Sequence, residues 1–241
     1  MKKLLVLSLL IVAGQVAAWG QTVNIRMKDG SVLEYDASGV DYVYFTAKGS
    51  TGLNGHEAVD LGLPSGLKWA TCNVGATKPE EAGGFFAWGE AAEKEDYSWA
   101  AYKWCNGSKT SLTKYTSIST LEPEDDAAHV LWGGTWRMPT VAEVTELIRE
   151  CSKSVVTQNG VKGAVFTGPN GNSIFLPAPG CKSYENNWEG LHGLYWLNST
   201  VNNNWNGDPA ANYFEVDCQT VKFVTYRAPR CWGFTIRPVT E

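Results

Sequence analysis

Three histidines, six cysteines and a short acidic run are the groups in this chain with the widest chemical range. His56-Glu57-Ala58-Val59-Asp60 opens like the H-E-x-x-H helix of zinc proteases, where two imidazoles one turn apart hold the metal. Asp60 stands where the second imidazole is needed, and its surroundings read as strand. Gly62-Leu63-Pro64-Ser65-Gly66 places its serine one position too late for a G-x-S-x-G nucleophile elbow, so it reads as a turn. His56, His129 and His192 are widely spaced, and no pattern singles one out as a general base. Glu122-Pro123-Glu124-Asp125-Asp126 offers oxygen ligands suited to calcium. A proline followed by acids is also how a helix begins, with carboxylates against its positive end, and this is the expected use. Neither a metal nor a cofactor is expected. None of Cys72, Cys105, Cys151, Cys181, Cys218 and Cys231 forms a C-x-x-C pair. In an exported protein they are expected to make some structural bridges, with one or two buried free thiols, and their pairing is open.

Several features set the compartment and the elements that position these groups. Residues 1–20 have the layout of a secretory signal: Lys2 and Lys3, an apolar run from Leu4 to Ala13, then small residues. That run is too short to cross roughly 30 Å of hydrocarbon, and no membrane span is expected. Export to the periplasm, the cell surface or the medium follows. Loss of Lys2 and Lys3 would take the formal charge from −5 to −7, the wrong sign for nucleic acid. Residues 21–47 read as a β-hairpin leader, in which Val23, Ile25 and Met27 alternate, Asp29-Gly30 turns, and Val32, Leu33 and Tyr35 return. Residues 48–54 read as a linker, and 55–241 as the main domain.

The main domain reads as mixed α+β. Thr140 and Glu143 form a capping box before Val141, Val144, Leu147, Ile148 and Cys151, which share one helical face. A second helix is predicted to start at Pro123. A hairpin follows, Gly163–Gly168 and Ser173–Leu176 around Asn170-Gly171. Further strands are predicted over Leu194–Asn198, Asn212–Cys218, Val221–Tyr226 and Trp232–Arg237.

HEAVDLGLPSGLKWATCNVGA, FFAWGE, YSWAAYKWCNG, LEPEDDAAHVLWGGTWRMPT, GPNGNSIFLPAPG, GLYWLNST and GFTIRPV occur in this order between Gly55 and Val239. Together they resemble the FISUMP, or major-paralogous-domain, family of exported Bacteroidetes-type proteins. The resemblance implies a C-type-lectin-like fold of the formylglycine-generating-enzyme type, behind the hairpin leader. It also implies that the first and last strands meet, bringing Leu61–Ala70 near Phe234–Pro238. Trp69, Trp88, Trp132, Trp136 and Trp196 are then expected in the core.

The C-terminal part is also similar to the variable tails of retroelement-diversified proteins, which use this fold. Tyr195-Trp196 and Arg237-Pro238-Val239 would be the brackets. The favoured alternative is an ordinary family member with a decorated loop.

The residues between these brackets are the expected ligand-binding set: Asn202, Asn203, Asn204, Trp205, Asn206, Asp208, Gln219, Phe223, Tyr226, Arg227, Arg230 and Trp232. They mix rigid aromatic anchors with adaptable polar groups, as binding surfaces do. The expected function is non-catalytic recognition of a protein or glycan. The alternative is a structural role in a cell-surface complex, docked by strand addition through the hairpin. A remote alternative, carried by the resemblance alone, is a copper-dependent thiol oxidase, for which Cys218 and Cys231 are the late thiols.

Overall fold

The computed structural model describes residues 22–26, 31–36, 54–183, 188–201 and 206–241. The signal-like segment, Met27, Asp29-Gly30, the run from Val40 to Phe45 and residues 48–53 of the linker lie outside them. The chain divides into two units, Met1–Thr46 and Ala47–Glu241. In the first, β1 (Thr22–Arg26) pairs antiparallel with β2 (Val32–Asp36), with Asn24 opposite Glu34. The second is mostly sheet with few helices, and its described strands form three small sheets rather than a barrel.

The first of these sheets ties the ends of the unit together. β3 (Ala58–Asp60) and β11 (Val239–Thr240) flank β4 (Lys68–Ala70) on either side, both antiparallel. The Ala70 amide donates to the Pro238 carbonyl at 2.9 Å, and Val74 to Ile236 at 3.0 Å. Arg237 bolts this junction from inside. Its Nε donates to Asn73 Oδ1 at 2.8 Å, and its Nη1 to the carbonyls of Ala70 and Thr71, both at 3.1 Å.

Two helices follow, and the acidic run explains the first. Pro123–Asp125 makes a single 3-10 turn, and α1 (Ala127–Trp132) begins only after Asp126. The helix start predicted at Pro123 therefore forms as this 3-10 turn, and the α-helix proper is capped by Asp126, whose carboxylate accepts the amides of Ala128 (2.9 Å) and His129 (3.3 Å). It also takes the Met138 amide at 2.8 Å. Asp125 turns inward to Lys114 Nζ at 2.5 Å and the Tyr115 hydroxyl at 2.6 Å. With these oxygens committed, the run acts as a cap and an ion-pair centre.

α2 (Val141–Glu150) carries the expected capping box: Thr140 Oγ1 accepts the Glu143 amide, and Glu143 accepts the Thr140 amide. Val144 and Leu147 are fully buried, and Cys151 closes the helix. β5 (Ser152–Gln158), which the sequence reading missed, then pairs with β6 (Val161–Thr167), and β6 with β7 (Ser173–Pro177). At the predicted turn between β6 and β7, Gly171 takes φ +86°, a left-handed conformation that suits glycine.

The last sheet has the order β10-β9-β8, from β8 (His192–Thr200), β9 (Ala210–Asp217) and β10 (Lys222–Pro229). The strand predicted over Trp232–Arg237 does not form. Lys182↔Gly233, Phe86↔Phe234 and Tyr195↔Thr235 are isolated bridges there, and the terminal strand is β11. These partners come from three different parts of the chain, so no continuous ladder develops.

Alternation along this sheet separates two cores. Tyr195, Leu197, Phe214, Val216 and the half-buried Phe223 face α2 and the β6–β7 side chains Phe166 and Leu176. The other face sends Leu194 and Trp196 into an aromatic core with Trp88, Trp136, Phe86 and Phe234. Trp69, Trp88, Trp132, Trp136 and Trp196 are all buried, as their size favours. Trp88 and Trp196 also satisfy their indole N–H groups on the carbonyls of Leu197 (2.8 Å) and Phe86 (2.7 Å).

Candidate functional site

β10 carries the exposed part of the predicted binding set. Among the described residues no strand pairs with its outer edge, and both Val221 at its start and Tyr226 within it are 57% exposed. Tyr226 lies opposite Tyr213 of β9, with ring centroids 6.4 Å apart, so the exposed ring is backed by a half-buried one. Arg227, the next residue, is exposed and opposes Asn212. Asn212 donates to Ser199 Oγ at 3.0 Å. Successive side chains leave a strand on opposite faces, so Tyr226 and Arg227 flank the edge and do not share one patch.

The loop joining β8 to β9 lies at the same end, since Arg230 just past β10 donates its amide to the Pro209 carbonyl. Asn206 is exposed there with φ +49°. Asp208 pairs with Lys109 at 2.5 Å, tying this loop to a segment nearly a hundred residues earlier. Asn202, Asn203, Asn204 and Trp205 lie outside the described residues. Gln219 is exposed at the opposite end of the sheet, in the β9–β10 turn. Five residues of strand between Lys222 and Arg227 alone span roughly 17 Å.

Three members of the predicted set are turned inward, away from solvent. Arg230 is 4% exposed, and its guanidinium donates to the carbonyls of Tyr115 (2.7 Å) and Ala210 (3.2 Å) beneath the Trp88 ring. Burial lowers its pKa, and among the described residues no carboxylate pairs with it. Phe223 packs edge-on against Phe166 at 5.3 Å as part of the α2 core. Trp232 is half-buried against two core clusters. An arginine or aromatic in a composition-rich tail looks the same in sequence whether it anchors a ligand or a loop.

The candidate chemistry elsewhere is dispersed. His56 stacks on Trp132, centroids 3.8 Å apart and 4° from parallel, and burial lowers its pKa. His129 Nδ1 lies 3.3 Å from the Trp136 carbonyl. Ser65 is held in its turn, its hydroxyl donating to Glu146 at 2.5 Å. None of the six cysteines is disulfide-bonded, so the expected bridges are not formed in this structure. Cys218 packs in the α2 core, whereas Cys231 sits with Cys105, Tyr102 and Ala87 in a separate cluster. The late thiols therefore do not make the close pair that thiol-oxidase chemistry needs. Burial pushes the Cys231 thiol up to about 12, away from reactivity.

Two features escaped the sequence reading. A cleft of about 480 Å³ opens between the β5–β6 turn and the segment after β7, with Glu80, Phe85, Lys162, Lys182 and Glu189 in its wall. These residues come from scattered turns and carry no joint motif. His192, Glu215 and Asp217 also converge on one face of the last sheet, with potential ligand atoms all within 4.8 Å of one another. Residues 23 and 25 positions apart signal nothing until strand register puts them side by side. No protein-family model, curated protein or solved structure matches this chain.

Proposed function

We propose that this chain is an exported, non-catalytic recognition protein of the FISUMP type, with a C-type-lectin-like domain that reads its ligand along the β10 edge. Support for the fold comes from the β3-β4-β11 closure. It joins the two ends of the unit, and the long, weakly regular stretch between β4 and α2 lies inside that closure. The signal-like leader supports export, and no described helix is long and apolar enough to cross a membrane.

One observation carries the functional reading: a large aromatic, Tyr226, is left 57% exposed on a strand edge that no described strand pairs with, its backbone fixed by an eight-residue ladder to β9. A rigid strand edge presenting an exposed tyrosine on one face and an arginine on the other loses little entropy on binding, and both residue types are common binding anchors. The ligand is a protein segment or a glycan, either of which an aromatic face and a guanidinium can engage.

The test is a screen of the purified exported chain against glycan and surface-protein arrays, with a Tyr226→Ala/Arg227→Ala double variant alongside. Both side chains are exposed, so the variant is expected to fold normally while losing about thirtyfold or more in affinity, the loss of a single interface anchor being about 2 kcal/mol or more. Undiminished binding by the folded variant removes the β10 edge from consideration. No binding at all, together with loss of surface assembly on deleting residues 22–36, would transfer the function to the hairpin.

A further inference from the structure

The geometry points to a divalent-cation site of the zinc class, formed by His192, Glu215 and Asp217 at the β9–β10 turn end of the last sheet. His192 and Asp217 are direct cross-strand partners, and Glu215 is two residues before Asp217. The two-residue period therefore sends all three side chains to the same face. The ligand atoms lie within 4.8 Å of one another, and Glu215 Oε1 is already 2.8 Å from His192 Nδ1. Oxygens and nitrogens about 2.0–2.2 Å from a tetrahedral zinc ion lie roughly 3.4 Å apart. With the Asp217 carboxylate held, a shift of up to about 1.4 Å by the His192 and Glu215 side chains on the fixed ladder closes that difference.

The surroundings have the form of a shell that holds ligands in place. Asp217 Oδ1 accepts the amides of Gln219 (2.8 Å) and Thr220 (2.9 Å), and Oδ2 accepts the Thr220 hydroxyl. Tyr213 directs its hydroxyl to Glu215 Oε2 at 3.4 Å, and the Trp188 ring lies 5.4 Å from the imidazole. Such partners orient ligating carboxylates and exclude alternative rotamers. His192 and Glu215 are 20% and 19% exposed, so an ion can reach them from solvent.

The donor set selects the ion. One imidazole with two carboxylates suits zinc or a neighbouring first-row divalent ion, and it lacks the six or more oxygens calcium needs. Cys218 is adjacent in sequence but faces the α2 core, so no thiolate joins the set. Three protein ligands leave a coordination position open. With the ion bound, the β9–β10 turn would be clamped to the start of β8.

Equilibrium dialysis of the full exported chain against Zn²⁺ alone, and the visible spectrum of its Co²⁺ form, test this. The expected result is one bound ion, with d–d bands and no thiolate-to-cobalt charge-transfer band. His192→Ala and the near-isosteric Glu215→Gln should each weaken binding about tenfold or more while keeping the cooperative unfolding transition, and should His192→Ala fail to fold, Glu215→Gln carries the test. No binding by the unaltered chain overturns the site. Unchanged affinity in Glu215→Gln also overturns it, as does a charge-transfer band placing the ion on cysteines.

Discussion

Arg137 and Glu143 show what a single carboxylate does in this protein. The guanidinium meets Glu143 through two bonds, Nη1 to Oε2 at 2.9 Å and Nη2 to Oε1 at 2.6 Å, while the same carboxylate accepts the Thr140 amide at 2.7 Å. Burial raises the Glu143 pKa, but the bonds from Arg137 and Thr140 outweigh it and hold the group below its ordinary 4.5. A depressed carboxylate stabilises the fold above its unfolded value and loses that contribution as pH falls through its folded one. Glu143→Ala is thus expected to cost about 1–2 kcal/mol at neutral pH, where both the cap and the ion pair are lost. The gap between the two proteins should shrink as pH drops below 4.5 and the parent's carboxylate protonates. Urea unfolding across that range reads it directly, and a gap that stays constant would show that the charge plays no part.

At the scale of elements, the β6–β7 turn lies hard against the segment that follows β3. Gly168 donates its amide to Asn172 at 2.9 Å, and a Cβ added to it would run into the Leu61 carbonyl and side chain. That neighbour is backbone, fixed next to a turn in which Asp60 accepts the Gly62 amide at 2.7 Å and the Asn170 amide group donates to the Asp60 carbonyl at 2.9 Å. The obstacle cannot swing away as a flexible side chain would. Gly168→Ala is therefore expected to destabilise by about 1–3 kcal/mol, as overpacking does, whereas Gly160→Ala meets open space and suffers only from its φ of +84°. Thermal unfolding of the two variants compares a steric clash with a backbone one. If Gly168→Ala is the milder change, β3 and the β6–β7 turn are not held as closely as described. Sequence alone marked this hairpin through Asn170-Gly171, but it missed β5, whose Ser-Lys-Ser-Val-Val-Thr-Gln pattern has too few apolar residues to stand out.

Over the whole second unit, the cost of closing the ends falls on Arg237. It is 1% exposed, among the described residues it pairs with no carboxylate and its Nη2 meets no acceptor, and burial lowers its pKa. Its three bonds join the last residues before β11 to the segment after β4. Arg237→Ala should orphan the Ala70 and Thr71 carbonyls and leave a cavity, a loss on the order of 3 kcal/mol. A shift of the urea midpoint toward zero without a change of slope would match that expectation. An unchanged midpoint would show that the β4–β11 ladder closes the unit unaided.

The sequence by itself determined the local elements whose signals lie within a few residues: the Thr140 capping box, the Asn-Gly hairpin, the β1–β2 pairing and the tryptophans large enough to demand burial. The acidic run was legible as a helix start, but not which acid caps α1, because one carboxylate, that of Asp126, serves both α1 and the distant Met138. Tertiary structure alone decided which late residues reach solvent. Phe223 and Tyr226 stand three apart on one strand, yet β9 and α2 bury the first and leave the second exposed. It alone brought His192 to Asp217 through strand register, and kept Cys218 from Cys231 by placing them in different cores. Side-chain type fixes what a group can do, but its partners depend on contacts between segments far apart in the chain, and no local pattern encodes those distances.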